Sequence, residues 1–498
     1  MITTLGELRA SGYADGTIKD ELRRNVIARL RAKEPIFKGI VGFDDSVIPQ
    51  IVNAILAGHD MLLLGLRGQA KTRIARQLTS LLDEQIPVIK GSEVNDHPFH
   101  PVSYQATQLV AEMGDNTPIE WVGRDERYGE KLATPDVSVA DLIGDIDPIK
   151  AATQRLHYAH EGAIHFGLVP RTNRGIVVIN ELPDLQPRIQ VALFNILQER
   201  DIQIRGFNVR IPLDILMVFT ANPEDYTNRG AIITPLKDRI QSQILTHYPA
   251  TIEEGMAITR QESWIHRSSM PVLLPTFLEQ IVESIAFLAR ASEFVDQSSG
   301  VSARLTISTL ENMISNAERR AIVNNEDNVV PRISDITQAI TGITGKVELV
   351  FEGEQEGPQK VARALIGKAV REVFRLYLPD PNIRRARKGQ TQIEDPYAPI
   401  VRWFEQGNVL SISDKMPLSE FYAALMHVPG LAQVASAFGY NVNDREQMAT
   451  AMEFILDALH QHSKIAKADS SAGTTYKDLV GSIFTPPSFD MDDDDMRN

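Results

Sequence analysis

Short apolar runs alternate with amphipathic segments over the first half of the chain. The runs at 61–64, 86–89, 176–179 and 215–219 are apolar throughout, and helical spacing lies between several of them. Because strands that are apolar on both faces and flanked by helices are typical of parallel sheets, the pattern predicts an α/β core. Residues 1–36 have helical spacing of their own, which Gly39 and Gly42 end.

The second half of the chain has a different pattern. Helical spacing at 276–291, 308–324 and 333–344 predicts a small all-helical domain, and a polar linker is predicted at 352–358 before a mainly helical region. The predicted organisation is a helical extension, an α/β core with insertions at about 91–172, a helical domain, a C-terminal region and a disordered acidic tail. Their bounds are 1–36, 37–250, 251–345, 346–483 and 484–498.

Composition narrows the class of protein. The 498 residues are 43% hydrophobic, and Lys plus Arg number 51 against 65 Asp plus Glu, for a net charge of −14. This charge argues against bulk attraction to nucleic acid. The chain has no cysteine, which excludes disulfides and thiolate metal sites. No apolar window has the length of a membrane span or a signal peptide, so we expect a cytoplasmic protein.

A glycine-bearing segment joins the run at 61–64 to a helical pattern. Between a strand and a helix, such a loop directs backbone N–H groups at an anion, while its lysine reaches phosphates and its threonine ligates Mg²⁺. Ala70 stands where glycine is usual, and we expect a right-handed helical φ there because the chain is entering a helix. The alternative is a helix-capping loop with a solvated lysine. The segment reads Gly65, Leu66, Arg67, Gly68, Gln69, Ala70, Lys71 and Thr72.

Two further apolar runs end in polar residues. Asn180 and Glu181 follow one run, and Asn222 follows the other. The carboxyl ends of parallel strands face the ligand crevice, so we expect these side chains beside the phosphate loop. Glu181 is the predicted general base, Asn180 a weak Mg²⁺ contact in place of a carboxylate, and Asn222 a residue that orients water or the γ-phosphate. The alternatives are a strand that merely ends in polar residues and an Asn-Pro turn.

Taken in chain order, these segments resemble the motif series of AAA+ ATPases. The series comprises Ile40 with Val41, the loop 65–72, the strand 175–181, Asn222 and Arg239. The segments 65–72, 180–185 and 220–226 carry a narrower resemblance to the magnesium-chelatase ATPase subunit and MoxR group. It covers about 35–345 and implies a P-loop AAA+ parallel-sheet core with a helical lid, followed here by a further mainly helical region.

The resemblance also implies ligands and partners. ATP with Mg²⁺ would bind between subunits of a homo-oligomeric ring, usually a hexamer, with Ile40 and Val41 among the nucleotide-binding residues and Thr72 and Asn180 as metal contacts. Asn222 would be the sensor-1 residue. Arg239 would be the arginine finger that acts on a neighbouring subunit, and Arg304 the sensor-2 arginine of the lid. A surface arginine at a helix N-terminus is the alternative for Arg304.

Several other features are weaker. The group carries an insertion, which residues 142–171 fit, and a hairpin before sensor 1, which residues 201–211 fit. Phe207 lies in the turn of this hairpin. It could contact a substrate, but an aromatic residue packed in the turn is the favoured interpretation. His460 and His462 lie two apart on a helix and cannot share a metal there, and Asp457 is expected to pair with His460. A dense basic patch is interpreted as a solvated loop: Arg384, Arg385, Arg387 and Lys388.

Three functions fit these motifs to different degrees. The first is a Mg²⁺-dependent ATPase ring that remodels or activates a partner protein, by resemblance one with a von Willebrand A domain. The second is a nucleotide-gated assembly scaffold with slow turnover, because Asn180 weakens the metal site. The third, an enhancer-binding transcription activator, lacks the Gly-Ala-Phe-Thr-Gly-Ala loop and a helix-turn-helix. Neither a membrane nor a nucleic-acid partner is expected.

Overall fold

The structure is a computed structural model that describes residues 2–154, 161–204, 210–223, 231–267, 270–382, 395–440, 443–470 and 473–479. The chain divides into two units, Met1–Tyr248 and Pro249–Asn498. The first unit contains a β-sheet with hydrophobic clusters on both faces, and the second contains one large cluster among helices. Phe207, the basic patch and the acidic tail lie outside the described residues.

The first unit alternates helices and strands. Its helices are α1 Leu5–Ala10, α2 Ile18–Ala32, α3 Val47–Ala57, α4 Lys71–Gln77, α5 Tyr104–Met113, α6 Val139–Leu142, α7 Pro148–Gln154, α8 Leu168–Arg171, α9 Pro187–Ala192, α10 Phe194–Gln198 and α11 Thr234–Arg239. Its strands are β1 Met61–Leu64, β2 Gln85–Ile89, β3 Ile119–Gly123, β4 Tyr128–Leu132, β5 Gly144–Ile146, β6 Ile164–Phe166, β7 Gly175–Asn180, β8 Asp201–Gln203, β9 Arg210–Pro212, β10 Ile215–Ala221 and β11 Ser242–Leu245.

Five parallel strands form the main sheet, in the order β11-β1-β10-β7-β4. Successive side chains of a strand point to opposite faces, so Met61 and Leu63 enter one hydrophobic cluster while Leu62 and Leu64 enter the other. The three central strands are buried throughout. This confirms the predicted parallel α/β core, and it brings the carboxyl ends of β1, β7 and β10 to one edge of the sheet.

Two strands are placed differently from the prediction. The apolar run at 86–89 is not part of the main sheet, because β2 pairs antiparallel with β3. The segment 91–172, predicted to consist of insertions, also supplies β4, an edge strand of the main sheet. Its partly exposed, polar side chains give it no apolar signal.

The predicted insertion and hairpin correspond to two small ribbons. Within 142–171, β5 pairs antiparallel with β6, and α7 begins between them. Strands β8 and β9 pair antiparallel, with Asp201 opposite Pro212. The described residues therefore include both strands of the hairpin before β10 but not its turn.

The second unit is mainly helical. Its helices are α12 Ile252–Glu262, α13 Thr276–Arg290, α14 Arg304–Asn324, α15 Ile333–Gln338, α16 Ile340–Thr344, α17 Phe351–Glu356, α18 Pro358–Tyr377, α19 Ala398–Glu405, α20 Leu418–Met426, α21 Leu431–Ala435 and α22 Arg445–Gln461. Strands β12 Leu410–Ser413, β13 Ala466–Ser470 and β14 Gly473–Lys477 form an antiparallel sheet that was not predicted. One hydrophobic cluster extends from Phe277 to Tyr476, so the core is continuous across position 345.

Two local predictions in this unit are wrong. The linker predicted at 352–358 is mostly helix α17, which approaches its neighbour so closely that a Cβ on Gly353 would lie 2.4 Å from the carbonyl oxygen of Phe294. Asp457 does not pair with His460. Its carboxylate instead accepts a hydrogen bond from Lys467 Nζ at 2.7 Å, because β13 folds back along α22.

No single helix within the described ranges combines the length and the apolar composition that a membrane crossing requires. The bent pair Leu418–Met426 and Leu431–Phe438, with an angle of 109° between its halves, meets those two criteria when the halves are combined.

Candidate functional site

The loop between β1 and α4 is shaped by close contacts around its first residue. A Cβ built on Gly65 would lie 1.9 Å from Thr246 Oγ1 and 2.2 Å from Gln69 Oε1, so only glycine fits. Those two side chains also bond to each other, since Thr246 Oγ1 donates to Gln69 Oε1 at 2.7 Å. Gly68 has a φ of +76°, which favours glycine for a different reason. Both glycines of the predicted phosphate loop are thus required by its backbone.

Ala70 adopts a conformation that the sequence did not predict. Its φ is +56° and its ψ is +11°, in the left-handed region, so the expected right-handed helical φ is wrong. The reason is that Ala70 precedes the helix as its N-cap residue and still belongs to the turn that redirects the chain into α4. An L-residue in this region is strained by its Cβ. Ala70 therefore occupies a glycine-type position in conformation as well as in sequence.

Lys71, the first residue of α4, is buried and turned back over the loop. Its Nζ donates hydrogen bonds to the carbonyl oxygens of Gly65 and Leu66, the latter at 3.0 Å. It also donates to Asn222 Oδ1 at 2.7 Å. The predicted phosphate cation and the predicted sensor residue, 151 positions apart, are therefore in direct contact.

Glu181 lies on the other side of Asn222. Asn222 Nδ2 donates to Glu181 Oε2 at 3.2 Å, so Lys71, Asn222 and Glu181 form one chain of hydrogen bonds. Glu181 also has a left-handed backbone, with φ of +54°, and its N–H donates to Thr220 Oγ1 at 3.1 Å. Residues other than glycine in this conformation are uncommon and concentrate at functional sites. The site contains two of them, Ala70 and Glu181.

Asn180 is held inside the sheet by both ends of its amide. Its Nδ2 donates to Glu130 Oε1 at 2.7 Å, and its Oδ1 accepts from Thr220 Oγ1 at 3.1 Å. Glu130 forms a two-point pair with Arg76 of α4, and this hydrogen bonding lowers the pKa of the Glu130 carboxyl. Sequence reasoning missed Glu130, because it lies on a polar edge strand within the segment interpreted as insertions.

The remaining loop residues form the rim of the site. The carbonyl oxygen of Arg67 accepts a hydrogen bond from Tyr248 Oη at 2.9 Å. Thr72 is the second residue of α4. Ile40 is buried in the hydrophobic cluster beside β1, and Val41 follows it, half-buried, just before α3.

The two predicted arginines have surroundings of their own. Arg239 ends α11, where its Nε donates to Gln198 Oε1 at 3.0 Å and its guanidinium lies 4.7 Å from the ring centroid of Phe194. Arg304 belongs to the second unit, where it is the exposed first residue of α14. The structure thus places Lys71, Asn222 and Glu181 in direct contact.

Comparisons with known proteins agree with this architecture. The family model for the Sigma-54 interaction domain matches residues 157–244. The magnesium-chelatase 38 kDa subunit of Cereibacter sphaeroides is 27% identical over 238 residues, which cover 47% of this chain and 65% of that protein. The same subunit of Rhodobacter capsulatus is 27% identical over 229 residues, covering 45% of this chain and 59% of that protein. The chain therefore spans less than two thirds of the length of either relative.

A solved structure of the complex between subunits BchI and BchD of magnesium chelatase aligns with 64% of this chain and 97% of that chain, at 20% identity and a TM-score of 0.33. That score is too low to add to the sheet order described above. The sequence matches thus show that the chain is similar to the Sigma-54 interaction domain and to the magnesium-chelatase 38 kDa subunit, and its glycine-bearing loop follows a central strand of a five-stranded parallel sheet.

Proposed function

We propose that this chain binds ATP and Mg²⁺ at the edge of its parallel sheet and hydrolyses the nucleotide as a homo-oligomeric ring. The observation that carries the proposal is the chain of hydrogen bonds from Lys71 through Asn222 to Glu181. In this chain of hydrogen bonds an ammonium group, an amide and a carboxylate lie side by side, near the carboxyl ends of adjacent strands. That combination suits phosphoryl transfer to water, which depends on positioning and charge stabilisation.

The residues present fit a nucleotide phosphate. The side chains of Thr246 and Gln69 pack against Gly65 and fix the start of the loop, and Lys71 uses its Nζ to hold the loop carbonyls and Asn222. A phosphate would compete for that ammonium group as a charged acceptor. The loop residues Leu66, Arg67, Gly68, Gln69 and Ala70 would supply backbone N–H groups, with Ile40 and Val41 on the flank of the nucleotide.

The fit to Mg²⁺ is weaker. Thr72 would supply a hydroxyl oxygen, and Asn180 an amide oxygen that already accepts a hydrogen bond from Thr220. An amide oxygen has a second lone pair, so it can still accept from a water of the hydrated ion. The ion would neutralise charge on the phosphates. Asn180 adds no negative charge to hold the Mg²⁺ ion. This is the physical basis of the alternative function, a nucleotide-gated scaffold with slow turnover.

Glu181 is the proposed general base, and Asn222 the residue that orients the attacking water. Arg239 is proposed to act on the nucleotide of a neighbouring subunit in a ring, which by resemblance to the group is a hexamer, and Arg304 is proposed as the sensor-2 arginine. By resemblance, the ring would remodel or activate a partner with a von Willebrand A domain in the cytoplasm. Stimulation of phosphate release by such a purified domain would support this last step.

The test separates the enzyme from the scaffold. Glu181→Gln should retain ATP binding and lose nearly all phosphate release. The matched control is Glu34→Gln, which changes an exposed residue far from the loop in sequence. The control should behave like the parent. Lys71→Ala should lose binding of a fluorescent ATP analogue. If the parent binds ATP but releases phosphate no faster than Glu181→Gln, the scaffold is correct.

The ring is tested by mixing two inactive variants. Arg239→Ala should bind ATP but hydrolyse it slowly, since an arginine finger contributes ~10³–10⁵ in rate in GTPases. Mixed with Glu181→Gln, it should regain partial activity, because some interfaces then combine an intact Glu181 with an intact Arg239. Specific activity that stays constant on dilution to monomers would contradict the role proposed for Arg239.

A further inference from the structure

A second candidate site lies in the first unit, at the opposite end of the parallel strands. A cavity of about 500 Å³ is lined there by Asp15, His97, His100, Asn173, Arg174 and Asp214, among others. Arg174 directly precedes β7 and Asp214 directly precedes β10, so the cavity lies at the amino ends of these strands. The phosphate loop follows the carboxyl end of β1. The cavity is therefore separate from the proposed nucleotide site.

Three potential metal ligands converge in this cavity. Asp15 Oδ2 lies 2.7 Å from His100 Nε2, and Asp15 Oδ1 lies 3.2 Å from His97 Nε2. The ligand atoms of the three residues all lie within 4.8 Å of one another. Ligand atoms around a tetrahedral Zn²⁺ with bonds of about 2.0–2.2 Å lie ~3.4 Å apart. Small side-chain movements, together with a turn of the Phe99 amide away from His97, would bring the three atoms to that spacing.

The buried histidine supplies an independent observation. The side chain of His97 is only 10% exposed, and its Nε2 lies 3.2 Å from Asp15 Oδ1 without forming a well-aligned hydrogen bond to it or to any other described residue. Buried polar atoms are normally satisfied, so an unsatisfied one needs an explanation. Here the atom is directed toward Asp15 and belongs to the same group of possible ligands. A bound cation would satisfy it.

The loop that carries the two histidines is held in place from within. Buried Asp96 accepts hydrogen bonds from the backbone N–H groups of Val102 and Ser103, at 2.6 and 2.8 Å. The N–H of His100 donates to the carbonyl oxygen of His97 at 3.0 Å. Each histidine is also followed by a proline, which restricts its backbone to extended conformations. The two imidazoles are thus presented by a preorganised turn.

We propose that Asp15, His97 and His100 bind a divalent transition-metal ion of the Zn²⁺ class. Two imidazoles and one carboxylate suit such an ion better than Mg²⁺, which prefers oxygen ligands. Three protein ligands leave a coordination position open toward the cavity. Since Asp15 comes from the segment between α1 and α2, the ion would fasten residues 11–17 to the loop 92–103.

Binding requires one exchange of hydrogen bonds. The N–H of Phe99 donates to His97 Nδ1 at 3.1 Å, which leaves the proton of a neutral ring on Nε2. Coordination through Nε2 moves that proton to Nδ1, so the amide of Phe99 must turn away. The ring changes tautomer without net release of a proton.

The test uses the full chain, stripped with EDTA and free of nucleotide. Titration with CoCl₂ should give the visible absorption of a low-symmetry Co²⁺ site and one ion per chain, and ZnCl₂ should displace the Co²⁺. His100→Ala should weaken binding at least tenfold; its side chain is 68% exposed, so the variant should fold. Asp15→Asn should also weaken binding, while the control His427→Ala, an exposed histidine of the second unit, should match the parent.

A second measurement tests the fastening. Hydrogen exchange of peptides covering residues 11–17 should slow on addition of ZnCl₂ in the parent and in His427→Ala, but not in His100→Ala. Three outcomes would overturn the proposal: no stoichiometric binding by the parent, equal affinity of the parent and His100→Ala, or equal loss of binding in His427→Ala. None of these depends on ATP hydrolysis, so failure here would leave the proposed function standing.

Discussion

Replacing Ala70 by glycine should stabilise the first unit, which is the reverse of the effect of glycine in the interior of a helix. With φ of +56°, Ala70 is in a conformation that costs an L-residue about 1–2 kcal/mol and glycine very little. The glycine variant has a more flexible unfolded chain, which offsets about 0.4–1 kcal/mol of this gain. Ala70→Gly should therefore raise the free energy of unfolding of this unit by about 1 kcal/mol.

The assay needs a probe of the first unit alone and a control with the same chemical change. Of the three tryptophans, Trp121 lies in the first unit, so replacing Trp264 and Trp403 by phenylalanine makes its fluorescence report on that unit during urea unfolding. Ala28 is exposed within α2, a right-handed helix. Ala28→Gly should lower the free energy of unfolding by about 1 kcal/mol.

The two variants should move the urea midpoint in opposite directions. If Ala70→Gly lowers the midpoint as Ala28→Gly does, Ala70 has a right-handed conformation in the protein and the strain argument is refuted. An unchanged midpoint would mean that the relief of strain at residue 70 equals the cost of the more flexible unfolded chain. The two ranges allow this, because both include about 1 kcal/mol. In that case Ala70→Asn decides, because asparagine tolerates the left-handed region without the flexibility of glycine.

Two further predictions concern buried carboxylates. Asn180→Asp would place a second carboxylate beside Glu130, which now accepts a hydrogen bond from Asn180 at 2.7 Å. The free energy of unfolding should fall by about 2 kcal/mol at neutral pH, and by less at acidic pH, where one carboxyl is protonated. A loss that urea midpoints show to be independent of pH would contradict the repulsion. Burial raises the pKa of Glu453 from 4.5 to about 7, so the stability it contributes is complete below pH 4.5 and is lost as the pH rises through about 7. Glu453→Gln keeps an acceptor for the N–H of Ile333. Between pH 5 and 8 its free energy of unfolding should therefore rise relative to that of the parent, by up to about 3 kcal/mol. Parallel pH profiles of stability for the two proteins would rule this out.

The sequence predicted the centre of the sheet and not its edges. Strands β1, β7 and β10 are covered on both faces, so their runs are apolar throughout and easily recognised. The edge strand β4 has a partly exposed surface and carries Glu130 and Lys131, so it gives no such signal. The apolar run at 86–89 was recognised as a strand, but its burial does not reveal which strand it pairs with. Its partner β3 contains Glu120 and Trp121 and was not recognised.

The same limit applies to the site. The order of Lys71, Glu181 and Asn222 in the chain was enough to predict that they would meet, because each follows a central strand of a parallel sheet. The partner of Asn180 was not predictable, because it depends on the unrecognised edge strand. The left-handed φ of Ala70 was predicted wrongly, since a residue at a loop–helix boundary belongs to whichever element fixes its backbone, and here that element is the loop.

Hydrogen bonds across the sheet link the loop 65–72 to the proposed base. Thr220 Oγ1 accepts from the N–H of Glu181 and donates to Asn180 Oδ1, so one hydroxyl fixes both residues at the end of β7. Asn222 likewise bonds to Lys71 through Oδ1 and to Glu181 through Nδ2. A phosphate that draws the ammonium group of Lys71 away from Asn222 removes a charged donor from that amide. The amide can then turn, and turning it alters its bond to Glu181. On the proposed function, occupation of the loop by a phosphate would therefore be coupled to the position of the carboxylate through Asn222, while Thr220 keeps the backbone of Glu181 in place.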